Sequence, residues 1–304
     1  MTFSNAEQFA GKRVVDFQRD TPLSGLDSTA YRLRIEYDDE HTMLDLLTAL
    51  LEDAAVDRLE ALVIGAWQVD ESDRPSTEVV EALVAAASQL ASMRSLFLGD
   101  IASEENEVSW IVQSDVSPLW TAFPRLETFQ VRGGYGLALG PLKHDHLKSL
   151  VIECGGLPRS VLQEMAAAKL PALEHLELYL GTGGYGWDGS IDDVRPLLQP
   201  GLFPRLKYLG LRDSEIADEV ANAVAESPIL KQIEVLDLSL GTLGDDGGRA
   251  LLACQDLQRL KRLDLSHHYL SNDLVKQFDR LPIEVDLDDP QEEDRYGRYV
   301  AVGE

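Results

Sequence analysis

Apolar residues in this chain fall into a short recurring phrase, apolar at its first, fourth and sixth positions. The phrase is carried by Leu59, Leu62 and Ile64, then Met93, Leu96 and Leu98, then Leu126, Phe129 and Val131. It continues through Leu147, Leu150 and Ile152, and through Leu173, Leu176 and Leu178. Leu206, Leu209 and Leu211, then Ile233, Leu236 and Leu238, then Leu260, Leu263 and Leu265 complete the set. Weaker copies flank it at Tyr31, Leu33 and Ile35 and at Val285 and Leu287. Alternation at the end of each phrase has the period of a strand. Between phrases the apolar spacing changes to three and four. That predicts helices over 43–56, 77–90, 161–170, 216–225, 248–254 and 274–281. Asp45, Ser76, Asp192, Asp218 and Asp273 stand at or near the expected helix starts, where such side chains satisfy free N–H groups. The middle phrase positions, 62, 96, 129, 150, 176, 209, 236 and 263, are separated by 34, 33, 21, 26, 33, 27 and 27 residues. The longer intervals predict insertions, notably over 104–123 and 181–201.

One strand and one helix per unit, with this phrase, resembles leucine-rich repeats. The units around Leu236 and Leu263 look most like the ribonuclease-inhibitor-like class, whose repeats each carry a helix. The resemblance implies an α/β leucine-rich-repeat solenoid, or horseshoe, with a curved parallel sheet on the concave face and helices outside. About nine parallel strands are expected. The pattern departs from the family at the slot usually held by Asn or Cys. Here that slot holds Gly134, Gly155, Gly181, Ser214, Gly241 and His268. Units at the ends need caps, so we read 1–37 as an N-terminal cap, 38–288 as the solenoid and 289–304 as a C-terminal cap or tail. The tail is expected to pair with the open sheet edge. The opening and closing segments are also similar to a family of bacterial leucine-rich-repeat proteins, most of them without an assigned function. Some of these are encoded beside ATP-grasp and radical-type peptide-modifying enzymes.

Charge narrows the partners. The 304 residues carry 53 acidic and 27 basic side chains, a net charge of -26. Phosphate contacts need a basic surface, so nucleic acid is excluded as a main partner, and so is an anionic membrane surface. No apolar run reaches the roughly 18 residues of a membrane span. The start of the chain lacks the charged and apolar regions of a secretory signal, which predicts a cytoplasmic protein. Cys154 and Cys254 stand alone and read as free thiols behaving as small hydrophobes.

Candidate chemistry is sparse. Gly181, Gly183 and Gly186 spell a GxGxxG after a strand, but a dinucleotide site needs a helix to open inside the motif. We read it as a solenoid turn, with a sister turn at Gly133–Gly136. His144 and His146 have metal-pair spacing without a third ligand in reach, and are read as an exposed loop. His267 is expected on the ligand side. The acidic run at Asp286, Asp288, Asp289, Glu292, Glu293 and Asp294 lacks calcium-loop spacing and reads as solvated tail. No cofactor, metal or catalytic residue is assigned.

The geometry of the phrase is more informative. Residues flanking its fourth and sixth positions point onto the concave face. They are apolar early, at Ala61, Val63 and Phe97, and mixed to acidic later. Candidate partner-binding residues are Arg132, Glu153, Glu177, Tyr179, Tyr208, Arg212, Asp237 and Asp264, since Tyr and Arg are enriched as interface anchors. Glu177, Asp237 and Asp264 share one phrase position, so they should stack in a row with a gap at Gly210. Their mutual repulsion favours a partner with a basic segment. The function expected is a non-catalytic protein- or peptide-binding module. The alternatives are an accessory recognition subunit of a peptide-modifying system, an enzyme whose site the sequence hides, or a plain scaffold.

Overall fold

Every phrase becomes one strand. The computed structural model describes residues 3–36, 39–67 and 73–303. The expected boundary between cap and repeats, at 37 and 38, lies outside the described residues, as do 1–2 and 304. The strands are β1 (Gln8–Phe9), β2 (Lys12–Asp16), β3 (Thr29–Leu33), β4 (Ala61–Ile64), β5 (Ser95–Leu98) and β6 (Thr128–Arg132). They continue as β7 (Ser149–Glu153), β8 (His175–Gly181), β9 (Tyr208–Ser214), β10 (Val235–Asp237), β11 (Arg262–Asp264) and β12 (Glu284–Asp286). They form one sheet in sequence order. All neighbours from β2 to β12 pair in parallel, more strands than the nine expected. Register follows the phrase, with Leu176, Leu209, Leu236 and Leu263 aligned across four strands. All four are fully buried.

The helices are α1 (Met43–Leu51), α2 (Thr77–Ala85), α3 (Pro118–Ala122), α4 (Arg159–Ala167), α5 (Ile191–Val194), α6 (Ala217–Glu226), α7 (Asp245–Ala253) and α8 (Asn272–Phe278). Six of them fall on the expected segments. The other two, α3 and α5, lie in the two insertions, where five- and four-residue helices leave too few turns for a readable period. Helix faces and sheet enclose one continuous core. The helix-start residues act less uniformly than expected. Thr42, not Asp45, is the N-cap of α1, and Asp45 completes its capping box. Asp192 stands in the first turn of α5, where Ser190 and Asp193 form the capping box. The Ser76 hydroxyl bonds Ser114 across units instead of capping α2. Asp218 opens α6, yet its carboxylate accepts the N–H groups of Gly244 and Gly247 at the start of α7. Asp273 stands in the first turn of α8, and Asp245 accepts the N–H of Ser271 just before it. Helix caps therefore also tie one unit to the next.

The missing Asn ladder has a steric explanation. A Cβ on Gly181 would stand 1.9 Å from the Gly155 carbonyl oxygen, and the Gly181 φ is 75°. Backbone turns here stack directly on one another, which only Gly permits. His268 does the work of the absent Asn. Its Nδ1 accepts the Leu270 N–H and its Nε2 bonds the Leu287 carbonyl. His144 repeats this arrangement with the Leu147 N–H and the Phe123 carbonyl. His144 is thus a buried turn residue rather than part of an exposed loop. Its burial holds the ring below the usual histidine pKa.

Both ends fold back over the solenoid. Ahead of β2, residues 3–9 cross the sheet, and a tight turn at Ala10 and Gly11 (φ 49° and 73°) reverses the chain. The tail does not add a strand beyond β12. It makes a bridge at Pro290 with His268 and then runs back across the units. Ala301 N–H reaches the Leu240 carbonyl, Val302 N–H reaches Asp213, and the Gly303 carbonyl accepts from Ser109.

Candidate functional site

Two rows of side chains line the concave face over β6–β12. The first is Thr128, Ser149, His175, Tyr208, Val235, Arg262 and Glu284. The second is Gln130, Val151, Glu177, Gly210, Asp237, Asp264 and Asp286, so the acidic row lies in the expected register. Its acids do not stand unopposed. Arg212 lies between Glu177 (2.5 Å) and Asp237 (3.3 Å), the two acids that flank Gly210 in the row. Arg262 bonds both Asp264 and Asp286 at 3.0 Å. The repulsion expected from the row is therefore largely relieved within the chain.

The centre of the face is a connected network. His175 and Tyr208 face each other across β8 and β9, their rings stacked at 4.0 Å and 15°. His175 Nε2 lies 3.2 Å from Glu177, and the Tyr208 hydroxyl donates to Asp237 at 2.6 Å. Burial pushes the Glu177 carboxyl up, but bonds from His175 and Arg212 outweigh it and hold the group below the usual range. Burial wins at Asp237, whose carboxyl is raised despite Arg212. Burial also opposes the Arg212 charge, yet the carboxylates of Asp237 and Glu177 keep it on. Tyr208 is raised by burial and by the two neighbouring acids, so it is a hydrogen-bond donor at neutral pH.

The eight sequence-assigned residues divide by depth. Glu177, Tyr208 and Arg212 are partly exposed in this network, and Asp264 is partly exposed beside it, bonded to Arg262 and Ser266. Asp237 is buried beneath it. Tyr179 is buried too, with the Arg212 guanidinium 5.0 Å from its ring and its hydroxyl pKa pushed up by that burial. Arg132 and Glu153 form a second, buried pair at 2.7 Å. Burial raises the Glu153 carboxyl against the pull of Arg132. Sequence reasoning left His175 unassigned, although it shares a phrase position with Tyr208 in the adjacent unit. It also missed that the apolar early face is covered: Phe9 packs on Ala30, Ala61, Val63 and Phe97, and all five are buried.

Other motifs resolve structurally. The GxGxxG forms a 3-10 turn, Gly183–Tyr185, and the next helix opens only at Ile191. His267 is held by Asp289 and the Tyr299 carbonyl at the tail. Cys154 is buried, with its thiol pKa pushed well up by burial. Among the described residues, no three His, Cys, Asp or Glu side chains are grouped as metal ligands, and no helix is long and apolar enough to cross a membrane.

One parallel strand per repeat, in sequence order, with helices on the other face, defines a leucine-rich-repeat solenoid. A solved structure of a protein from Bacteroides fragilis matches with a TM-score of 0.83 and 34% identity, covering 90% of this chain and 77% of that one. The chain belongs to the same family as that Bacteroides protein. An internalin of Listeria monocytogenes matches at a TM-score of 0.44 and 19% identity, covering 84% of this chain and 60% of that one. No family model and no curated protein matches the sequence.

Proposed function

We propose that this protein is a non-catalytic binding module that receives a protein or peptide on the concave face over β6–β12. Within the solenoids it stands with the ribonuclease-inhibitor-like class and with the bacterial leucine-rich-repeat family that its ends resemble, and it works in the cytoplasm. Residues 1–37 and 289–304 serve as caps to the repeats over 38–288. The observation that supports binding is the partly exposed hub of Arg212, Glu177, His175 and Tyr208. Aromatic, cationic and anionic groups there sit on rigid strands, the arrangement that anchors interfaces. Glu177, Tyr208, Arg212 and Asp264 meet the partner. Asp237 and Tyr179 hold Tyr208 and Arg212 from below, while Arg132 and Glu153 pair with each other away from the hub. The partner carries a basic segment, because the chain is strongly acidic and Asp286 extends the acidic row toward the edge, with Glu284 ending the row beside it.

The test pairs Glu177→Gln with Asp264→Asn and compares this variant with a convex control, Glu81→Lys with Glu219→Lys on α2 and α6. Partners recovered from the native cell on the wild type should be lost from the concave variant and kept by the control. Their retention should fall as salt rises. A concave variant that keeps every partner at unchanged salt dependence would overturn the reading.

A further inference from the structure

The early concave face is occupied by the chain itself, and the manner of occupation resembles ligand binding more than sheet formation. Residues 3–6 make little use of a strand ladder. Phe3 N–H donates to the Ser103 hydroxyl and Ala6 N–H to the Asp100 carboxylate. The Ser4 carbonyl accepts from Arg132 and the Ala6 carbonyl from Arg32. Side chains of the solenoid thus reach main-chain atoms of the segment, and the Asn5 side chain adds bonds to the Asp100 carbonyl, Glu105 and Arg34. Two aromatic seats flank these polar contacts. Phe3 lies under the Arg132 guanidinium, 4.4 Å from ring centre to carbon, with the Tyr179 ring at 6.0 Å. Phe9 lies on Phe97 at 5.7 Å, over a floor of Ala30, Ala61 and Val63.

The receiving groups are braced without the segment. Arg32 is paired with Asp16 (2.6 Å) and Asp100 (2.9 Å), and Arg132 with Glu153 (2.7 Å). Arg132 also donates to the Ile101 carbonyl. A buried, pre-arranged charge cluster is weak evidence for stability, but it is what a site for an extended main chain needs.

We propose that this part of the concave face is a peptide groove, that residues 3–9 are its internal occupant, and that it accepts in their place an extended peptide with two aromatic side chains six positions apart. The inference rests on the binding-module reading and adds a second, self-closed seat to the open one. A tethered segment acts at an effective concentration near millimolar, so an outside peptide competes only when the segment has lifted.

The test uses the full chain and a fluorescent peptide of residues 3–10. In the Phe3→Ser, Phe9→Ser variant the seats are empty. This variant should bind the peptide at least tenfold more tightly than the wild type, and should not bind a peptide whose two Phe are Ser. A folded variant with no gain overturns the proposal. Should the variant fail to fold, hydrogen exchange on the wild type decides. Phe3 and Ala6 amides should exchange at least a hundredfold faster than the core amides of β7–β9, whereas equal protection would make the segment an integral cap. Glu177 and Asp264 lie on β8 and β11, outside these seats. Loss of partners in the concave variant and loss of peptide binding here can therefore fail separately.

Discussion

Asp213 is a buried acid held in a constrained backbone. It is fully buried at a φ of 54°, in the left-handed region. One carboxyl oxygen accepts the Val302 N–H at 2.8 Å, and the other has no hydrogen-bond partner among the described residues. Burial pushes its pKa up to about 9, against the bond from Val302 and the nearby Arg212. An acid raised in the folded state is protonated there while it is ionised in the unfolded chain. Its contribution is therefore complete below the ordinary aspartate value of 3.8 and is lost as pH rises toward 9. Asn tolerates the left-handed region and stays neutral. Asp213→Asn should therefore melt a few degrees above the wild type at pH 8.5 and close to it at pH 4. An equal difference at both pH values would show that the carboxyl does not titrate as described.

At the scale of the element, the second position of each phrase alternates in sign without exception. It runs Glu60, Arg94, Glu127, Lys148, Glu174, Lys207, Glu234 and Lys261 along the rim of the sheet. Neighbours pair: Arg94 and Lys148 both bond Glu127, Lys207 bonds Glu174 and Lys261 bonds Glu234. The hydrogen bond from Lys148, with that from Arg94, holds the Glu127 carboxyl below its usual range despite some burial. Glu127→Lys would set three cations in a row. Exposed pairs are worth well under 1 kcal/mol each, so the loss should be about 1 kcal/mol in low salt by chemical denaturation, and should shrink in 1 M salt. A loss independent of salt would mean packing, not charge. This ladder was visible in the sequence, since it needs only the phrase register. The N-terminal occupant was not. Phe3 and Phe9 stand in a segment with no period, and its partners lie far along the chain, Phe97 for Phe9, Asp100 for Ala6 and Ser103 for Phe3. Arg212 was read as facing the concave side, but its place between Glu177 and Asp237 depends on a side-chain reach that strand alternation does not encode.

For the whole molecule, a solenoid joins each unit only to its neighbours, so its stability is close to a sum over interfaces. Two features depart from that. Residues 3–9 tie β2 to β6, and the tail ties Leu240 and Asp213 to Ser109 across several units. Leu236 is fully buried between aligned Leu209 and Leu263. Leu236→Ala should cost about 2–5 kcal/mol through lost transfer energy and the cavity left behind. Because the tail clamps the stack, calorimetry should still show one transition, shifted downward. A separate early transition for the C-terminal units would mean that the tail does not couple them.

The alternating rim also constrains how such a protein can change length. Excising the one unit that contributes Lys148 would bring Glu127 beside Glu174. Duplicating it would set Lys beside Lys. Removing or adding two adjacent units leaves every contact between opposite signs. The chain thus has a parity: its natural increment is the pair, and descendants that grew or shrank by single units would need a compensating charge reversal along half of the rim.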